Sequence, residues 1–384
     1  MRVALATSSY APYIGGVEEH VQNVAKILSQ RGHDVEVWTV DRSGGHGTVV
    51  IDNVRVRTLP APLPARSARS LWRYATRLSR STRLWRQAAR AHRPEIIHVQ
   101  CFGPNGTYAR ALARHFDIPL VISTHGETLA DDANVFSQSR FAAWSLRRGL
   151  ANATAVTACS RFALADLTSR FGLREGRGIV VFNGVDLHET GAPRLANTPD
   201  RYLASIGRMV PVKGFDLLIR AFARASLPED VHLVIAGDGP ERDGLARLAA
   251  ELGVEDRLLL PGWLDRAAVV ALLRNAAISV VPSRLESFGI AVLEAWRAET
   301  PVVATTHGGP REFVHDGVDG LLVDPEDTPA LGAALRHLFD DVGLARSLAL
   351  AGTKSVQAFT WERSVDSYEA IYGAVVSSES KDRP

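Results

Sequence analysis

Ile278-Ser279-Val280-Val281-Pro282-Ser283-Arg284-Leu285-Glu286-Ser287-Phe288-Gly289-Ile290-Ala291-Val292-Leu293-Glu294 passes from a β-rich apolar run through a polar loop into a helix starting near Gly289. Strand, loop and helix in that order make one arm of a βαβ unit, and units of this kind build parallel sheets. The alternation recurs upstream at Tyr202 to Gly207, Val231 to Gly237 and Arg257 to Leu260, and downstream at Pro301 to Thr305 and Gly320 to Val323. An earlier series reads the same way: Val3 to Thr7, Val35 to Val40, Ile96 to Gln100, Leu120 to His125, Ala155 to Ser160 and Gly178 to Val185. The polar, Pro-containing stretch Leu187 to Asp200 interrupts the pattern and reads as a linker. Two doubly wound, Rossmann-like α/β domains follow, residues 1–187 and 201–360, facing each other across a cleft. Trp361 to Val376 is amphipathic and is expected to pack back on the first domain; from Ser377 the tail is polar.

Composition narrows the function. The 384 residues are 46% hydrophobic, enough apolar surface for two cores, and the formal net charge of +2 gives no overall bias toward nucleic acid. Cys101 and Cys159 are too few for a disulfide framework or a zinc cluster and read as small buried residues of a cytoplasmic protein. Met1 to Thr7 has one charge and a short apolar run, so it reads as a first strand and not a signal peptide. No run approaches the ~18 apolar residues of a membrane span.

Ligands of open α/β sheets bind at strand C-termini, so the residues just after each strand are the candidates. Free backbone N–H groups at the helix start near Gly289 make an anion site suited to a phosphate, with Glu286 and Glu294 on either side. The competing reading has Glu286 capping the helix and Glu294 solvated. In Gly207-Arg208-Met209-Val210-Pro211-Val212-Lys213-Gly214, Arg208 leaves a strand and Lys213 precedes a helix. Lysine occurs in this chain only at 26, 213, 354 and 381, which singles Lys213 out. Two fixed cations there suit a diphosphate leaving group, whose charge grows as its bond breaks. Alone, such a pair is more often a solvated loop.

The Glu286 to Glu294 stretch resembles the E-x7-E motif of glycosyltransferase family 4, and Gly207-Arg208 with Lys213-Gly214 is similar to that family's phosphate-binding element. Gly15-Gly16-Val17-Glu18, Ser123-Thr124-His125-Gly126, Asn183-Gly184-Val185-Asp186, Gly237-Asp238-Gly239-Pro240 and Gly308-Gly309-Pro310-Arg311-Glu312 extend the resemblance over nearly the whole chain. It implies a GT-B fold, a nucleotide-sugar donor held mainly by the second domain, an unidentified acceptor held by the first, and transfer with retention of configuration and without a metal or other cofactor. UDP-sugars are favoured slightly over GDP-mannose. Arg208 and Lys213 would hold the diphosphate, Glu286 the sugar, Glu294 the ribose, and the amides of Phe288, Gly289 and Ile290 the phosphate. Leu260 to Leu264, with Trp263 as an apolar wall, would border the base; Gly16 and Gly237 complete the donor set. His125, at a strand end beside Gly126, would hydrogen-bond the transferred sugar or orient the acceptor; a lone strand-end histidine also reads as structural. Gly15 and Gly16 allow a backbone to approach a ligand closely, or simply serve a tight helix entry.

Arg66, Arg69, Arg73, Arg77 and Arg80 fall on one helical stripe, with Leu71, Leu78 and Trp85 opposite. The basic character continues to Arg93. The stripe fits a peripheral contact with anionic lipid, or an acceptor contact through Arg73 and Arg77, or a solvated helix face. Rival activities are a nucleotide-sugar epimerase of the same fold, a lipid- or inositol-phosphate-directed mannosyltransferase, and a non-catalytic binding module. A dinucleotide oxidoreductase is disfavoured, because Thr7 to Gly16 lacks G-x-G-x-x-G.

Overall fold

The computed structural model describes the chain apart from residues 14, 42–46, 65–67, 130–134, 192, 193, 196 and 382–384, and apart from the side chains of 68, 70, 73 and 378–381. It falls into two units, Met1–Asn183 with Trp361–Pro384, and Gly184–Thr360.

In the first unit the chain runs β1 (Arg2–Thr7), α1 (Gly16–Gln30), β2 (Asp34–Val40), β3 (Gly47–Ile51), β4 (Val54–Leu59), α2 (Ala68–His92), β5 (Ile96–Gln100), α3 (Pro104–Phe116) and β6 (Leu120–Thr124). It continues through α4 (Val135–Gln138), α5 (Arg140–Asn152), β7 (Ala155–Ala158), α6 (Arg161–Phe171) and β8 (Gly178–Val180). The sheet order is β3-β4-β2-β1-β5-β6-β7-β8, with β3 antiparallel to β4 and every other pairing parallel. Strands β5 and β6 are buried at every residue because helices cover both faces, so even their polar residues His98, Gln100, Ser123 and Thr124 lie inside. Right-handed crossovers put α2, α3, α5 and α6 on one face, where α2 packs on α3, α3 on α5, and α5 on α6. The core between them holds Trp85, stacked at 5.5 Å on Tyr108.

The β3–β4 hairpin was not foreseen. Its turn is Asp52-Asn53, both at positive φ (51° and 63°), as a two-residue turn matching strand twist requires. Among the described residues the apolar face of α2 is buried from Leu78 and Trp85 onward, while Leu71 is 48% and Trp72 68% exposed. Cys159 is buried, but Cys101 is only partly so, because it leaves β5 at a φ of 61° into the exit loops.

The second unit contains β9 (Arg201–Ile206), α7 (Phe215–Arg224), β10 (Val231–Ala236), α8 (Arg242–Glu251), β11 (Leu258–Gly262), α9 (Arg266–Arg274) and β12 (Ile278–Val281). Then come α10 (Ile290–Arg297), β13 (Val302–Thr305), β14 (Leu321–Val323), α11 (Thr328–Asp340) and α12 (Val342–Ser355). Its all-parallel sheet is ordered β11-β10-β9-β12-β13-β14. Glu189, within the stretch read above as linker, is fastened to this unit, accepting from both Arg266 and Arg297. The chain then returns to the first unit as α13 (Trp361–Lys381), which packs along α1 on the face opposite α2. No helix among the described residues is long and apolar enough to cross a membrane.

Candidate active site

Each sheet has a switch point, where one strand sends its crossovers in opposite directions and leaves a crevice at its C-terminal end. In the second unit it lies between β9 and β12. The loops that leave these strands are the two that carry the charged motifs, so topology brings together what the chain separates by 73 residues: Lys213 Nζ donates to Glu286 Oε2 at 2.7 Å. Ser283 Oγ donates to the same oxygen at 2.9 Å. Glu286 is 8% exposed, so its carboxylate is held by design of the surrounding backbone and not by chance of the surface.

That backbone is tight. Glu286 N donates to the His307 carbonyl at 3.0 Å, and Gly309 N donates to the Glu286 carbonyl at 2.8 Å. Gly308, at a φ of 112°, passes so close that a Cβ would stand 2.0 Å from the Glu286 carbonyl oxygen. On the other side Arg284 forks onto Asp216 of α7 with two bonds of 2.7 Å. Burial raises the Asp216 pKa, but the Arg284 fork outweighs it and holds the carboxyl below the usual carboxylate range. Arg284 N also donates to the Val212 carbonyl, which staples the Lys213 loop to the Glu286 loop.

Helix α10 begins at Gly289, which has a φ of 103° and no side-chain cap. The reading of Glu286 as a helix cap therefore does not hold; its carboxylate faces Lys213. Phe288 buries its ring against Phe313 at 5.0 Å, so only its backbone is available to a ligand. Ile290 opens the helix, and Glu294 stands one turn on, half-buried. Arg208 is exposed at the β9 exit. Gly237 is buried at a φ of 131°, and a Cβ there would meet the Gly207 carbonyl at 1.9 Å, so its lack of a side chain serves the packing of two exit loops. Leu260 lies inside β11 and not after it, since that strand runs two residues further than its sequence suggests. Trp263 follows the strand, 49% exposed, with Leu264 partly buried beside it.

In the first unit the switch point lies between β1 and β5. Gly15 is the N-cap of α1 with an extended φ of 174°, and its missing Cβ leaves room for the Glu18 carboxylate, 2.5 Å from where that atom would be. Gly16 opens the helix, exposed. His125 follows β6, with Nε2 2.8 Å from Gln100 Oε1. Its ring lies 4.3 Å from that of His20. Burial lowers the His125 pKa to about 4, against the opposing effect of the Asn183 amide. Glu127 Oε2 accepts from His125 N at 2.8 Å and its Oε1 from Phe102 N at 2.7 Å, tying the β5 and β6 exit loops together. Burial pushes the Glu127 carboxyl up, and these bonds pull it back. Sequence reasoning gives no signal for Ser283, Arg284, Gln100 and Glu127: Arg284 and Gln100 bond residues distant in the chain, and Ser283 and Glu127 are single polar residues of exit loops. Of the arginine stripe, Arg69, Arg77 and Arg80 are exposed on α2. Arg66 and the side chain of Arg73 lie outside the described residues.

Two parallel-sheet units with these sites define a GT-B glycosyltransferase. Residues 14–189 match the family described as Glycosyltransferase Family 4, and residues 189–355 the one described as Glycosyl transferases group 1. A D-inositol 3-phosphate glycosyltransferase of Mycolicibacterium vanbaalenii is 32% identical over 94% of this chain and 86% of its own. Among solved structures, sucrose-phosphate synthase from Thermosynechococcus elongatus superposes with a TM-score of 0.82 at 23% identity, covering 98% of this chain and 99% of that one. Anabaena HepE in complex with UDP-glucose does so with a TM-score of 0.76 at 21% identity, over 97% and 99%. The chain belongs to glycosyltransferase family 4, and it is a transferase of glycosyl groups.

Proposed function

We propose that this glycosyltransferase moves a hexosyl or N-acetylhexosaminyl group from a UDP-sugar to a hydroxyl acceptor with retention of anomeric configuration. The observation that carries the reading is the Lys213–Glu286 contact at the β9/β12 switch point, beside the uncapped start of α10. Lys213 and Arg208 bind the diphosphate, joined by the backbone amides at Gly289 and Ile290. Glu286, already oriented by Ser283, exchanges part of its contact with Lys213 for a sugar hydroxyl. Glu294 takes the ribose hydroxyls, and Trp263 with Leu264 borders the base. As the bond from the anomeric carbon to the phosphate oxygen breaks, the acceptor oxygen bonds that carbon on the same face, and the acceptor proton passes to the leaving phosphate. The protein's cations stabilise the charge that grows there, and no metal is called for.

The bound UDP-glucose of the HepE structure supports uridine over guanosine. A thermal-shift panel of UDP-, GDP-, dTDP- and ADP-sugars tests this, since a ligand at 100 times its Kd adds about 2.7 kcal/mol of stability. A shift with GDP-mannose alone would transfer the assignment to guanosine. Product analysis with and without acceptor separates transfer from epimerisation, and NMR of the product's anomeric proton tests retention.

One further observation bears on the acceptor. Helices α2, α3 and α5, side by side on one face, carry twelve arginines and no aspartate or glutamate, in a chain of net charge +2. Exposed Trp72 and Trp144 stand among them, the latter 5.8 Å from the Arg148 guanidinium and 6.0 Å from that of Arg110. Cations with interfacial indoles suit an anionic lipid surface, and so a lipid-borne acceptor.

A further inference from the structure

His125 is gripped from inside the first unit. Beyond its bond to Gln100, the Gln100 amide nitrogen lies 3.3 Å from both ring nitrogens of His98. His98 is engaged at each nitrogen, Nδ1 by the Tyr372 hydroxyl of α13 and Nε2 by the Ser123 hydroxyl, both at 2.6 Å. His20, whose ring is tilted 57° to that of His125, meets the Tyr368 hydroxyl at 3.1 Å. Gln100, His98 and His20 are all fully buried. Polar side chains from α1, β5, β6 and α13 thus converge on one imidazole, where apolar residues would be cheaper to bury.

The direction of these bonds fixes a proton. The Gln100 amide oxygen only accepts, so His125 Nε2 carries the hydrogen and Nδ1 keeps the lone pair. We propose that Gln100 is a positioning residue for glycosyl transfer: it holds the His125 ring as the Nε2-protonated tautomer, and α13 holds Gln100 in turn through Tyr372 and His98. This rests on the reading that His125 takes part in transfer. The groups facing the ring are His20, His98, Gln100 and Asn183, with Glu127 on its own loop. Burial lowers His98 to about 3, with the charge of His125 as the lesser cause, so both rings are neutral at pH 7.

Ring-nitrogen NMR of 15N-histidine-labelled protein, read beside steady-state kinetics, tests the proposal. The wild type should show His125 protonated at Nε2 and a kcat independent of pH between about 5.5 and 8, since its pKa of about 4 lies below that window. Gln100→Met should mix the tautomers and lower kcat roughly tenfold or more, with the donor KM within about threefold. Gln100→Glu keeps an acceptor at Nε2 and raises the His125 pKa, so kcat should recover at high pH and fall as pH drops through that new value. If Gln100→Met keeps the wild-type tautomer, or mixes the tautomers at unchanged kcat, the proposal is overturned. His125→Ala at full kcat removes the underlying reading instead, whatever the ring spectra show. An inactive His125→Ala beside a Gln100→Met variant with normal tautomer and kcat removes only the role of Gln100.

Discussion

The two switch points solve opposite electrostatic problems with the same topology. In the second unit the crevice between β9 and β12 holds formal charge: Lys213 and Glu286 meet at 2.7 Å, with Arg208 exposed nearby. In the first unit the exits of β5 and β6 back onto neutral imidazoles, with the Glu127 carboxyl beside them, because burial pushes His20, His98 and His125 far below the ordinary histidine range. A site that must take up a diphosphate needs charge near water, where Lys213 keeps 31% of its side chain exposed. A site that only orients uncharged hydroxyls can sink its polar groups into the core and gain rigidity. On the proposed function the charged crevice meets the leaving group and the neutral one the uncharged partner, and each of the following outcomes would sharpen or erase that contrast.

The largest effect is expected at the charged crevice. Lys213→Ala removes the cation proposed to face the diphosphate and leaves the Glu286 carboxylate buried without it, and Arg208→Ala removes the second cation. Each should cost roughly 2–4 kcal/mol of transition-state stabilisation in kcat/KM. Folded variants with near-normal kcat/KM would mean that the charges there serve structure alone.

Next in size is a pH effect confined to the neutral cluster. The folded-state pKa values of about 3 and 4 for His98 and His125 lie below the unfolded value of 6.5, so the unfolded chain binds more protons between pH 6.5 and 4. Stability from the cluster is therefore complete above pH 6.5 and is lost as pH falls toward 4. Hydrogen exchange, corrected for intrinsic rate, should show β5 and β6 losing protection between pH 7 and 5 while β9 and β12 hold theirs. Equal losses in both sheets would dissolve the contrast.

The two carboxylates should then differ within one site. Glu286→Gln should lower turnover and alter sugar selectivity, whereas Glu294→Gln should weaken binding of UDP itself. Calorimetry with UDP decides it, and equal effects on UDP affinity would remove the division of labour.

How much of this was legible in the sequence depends on the range of the interaction concerned. Most of the parallel strands are legible as short, largely apolar runs, β4 excepted, and both ends of the Lys213–Glu286 pair are legible as candidates because strand exits are where sheet topology puts ligands. The pairing itself was not legible, since it depends on sheet order. The β3–β4 hairpin left a weak signal in Asp52-Asn53, a turn pair that tolerates positive φ but lacks the usual glycine. The histidine cluster left none: Tyr372 and His98 are 274 residues apart, and a single polar residue inside an apolar strand says nothing of its partner. The α2 stripe read correctly as amphipathic, but periodicity could not reveal that α3 and α5 extend the same acid-free face.

That face supplies the smallest and most easily lost effect. If α2, α3 and α5 meet anionic lipid, each arginine near the surface contributes about 1 kcal/mol, and salt weakens the attraction over a Debye length of about 8 Å at physiological ionic strength. Arg77 and Arg80 are exposed on α2 and far from both switch-point motifs in the chain, so Arg77→Gln with Arg80→Gln should leave turnover of a soluble acceptor unchanged. The double variant should lose about 2 kcal/mol of binding, nearly thirtyfold in partition, to vesicles rich in anionic lipid at low salt. Trp72→Ser should lower binding at both low and high salt, because an interfacial indole acts through burial and not through charge. Co-sedimentation at two salt concentrations reads all three variants. Should the wild type fail to sediment at low salt while a soluble acceptor's KM is also unmoved by the double substitution, the twelve arginines are a solvated face. The contrast between the units would then rest on the two switch points alone.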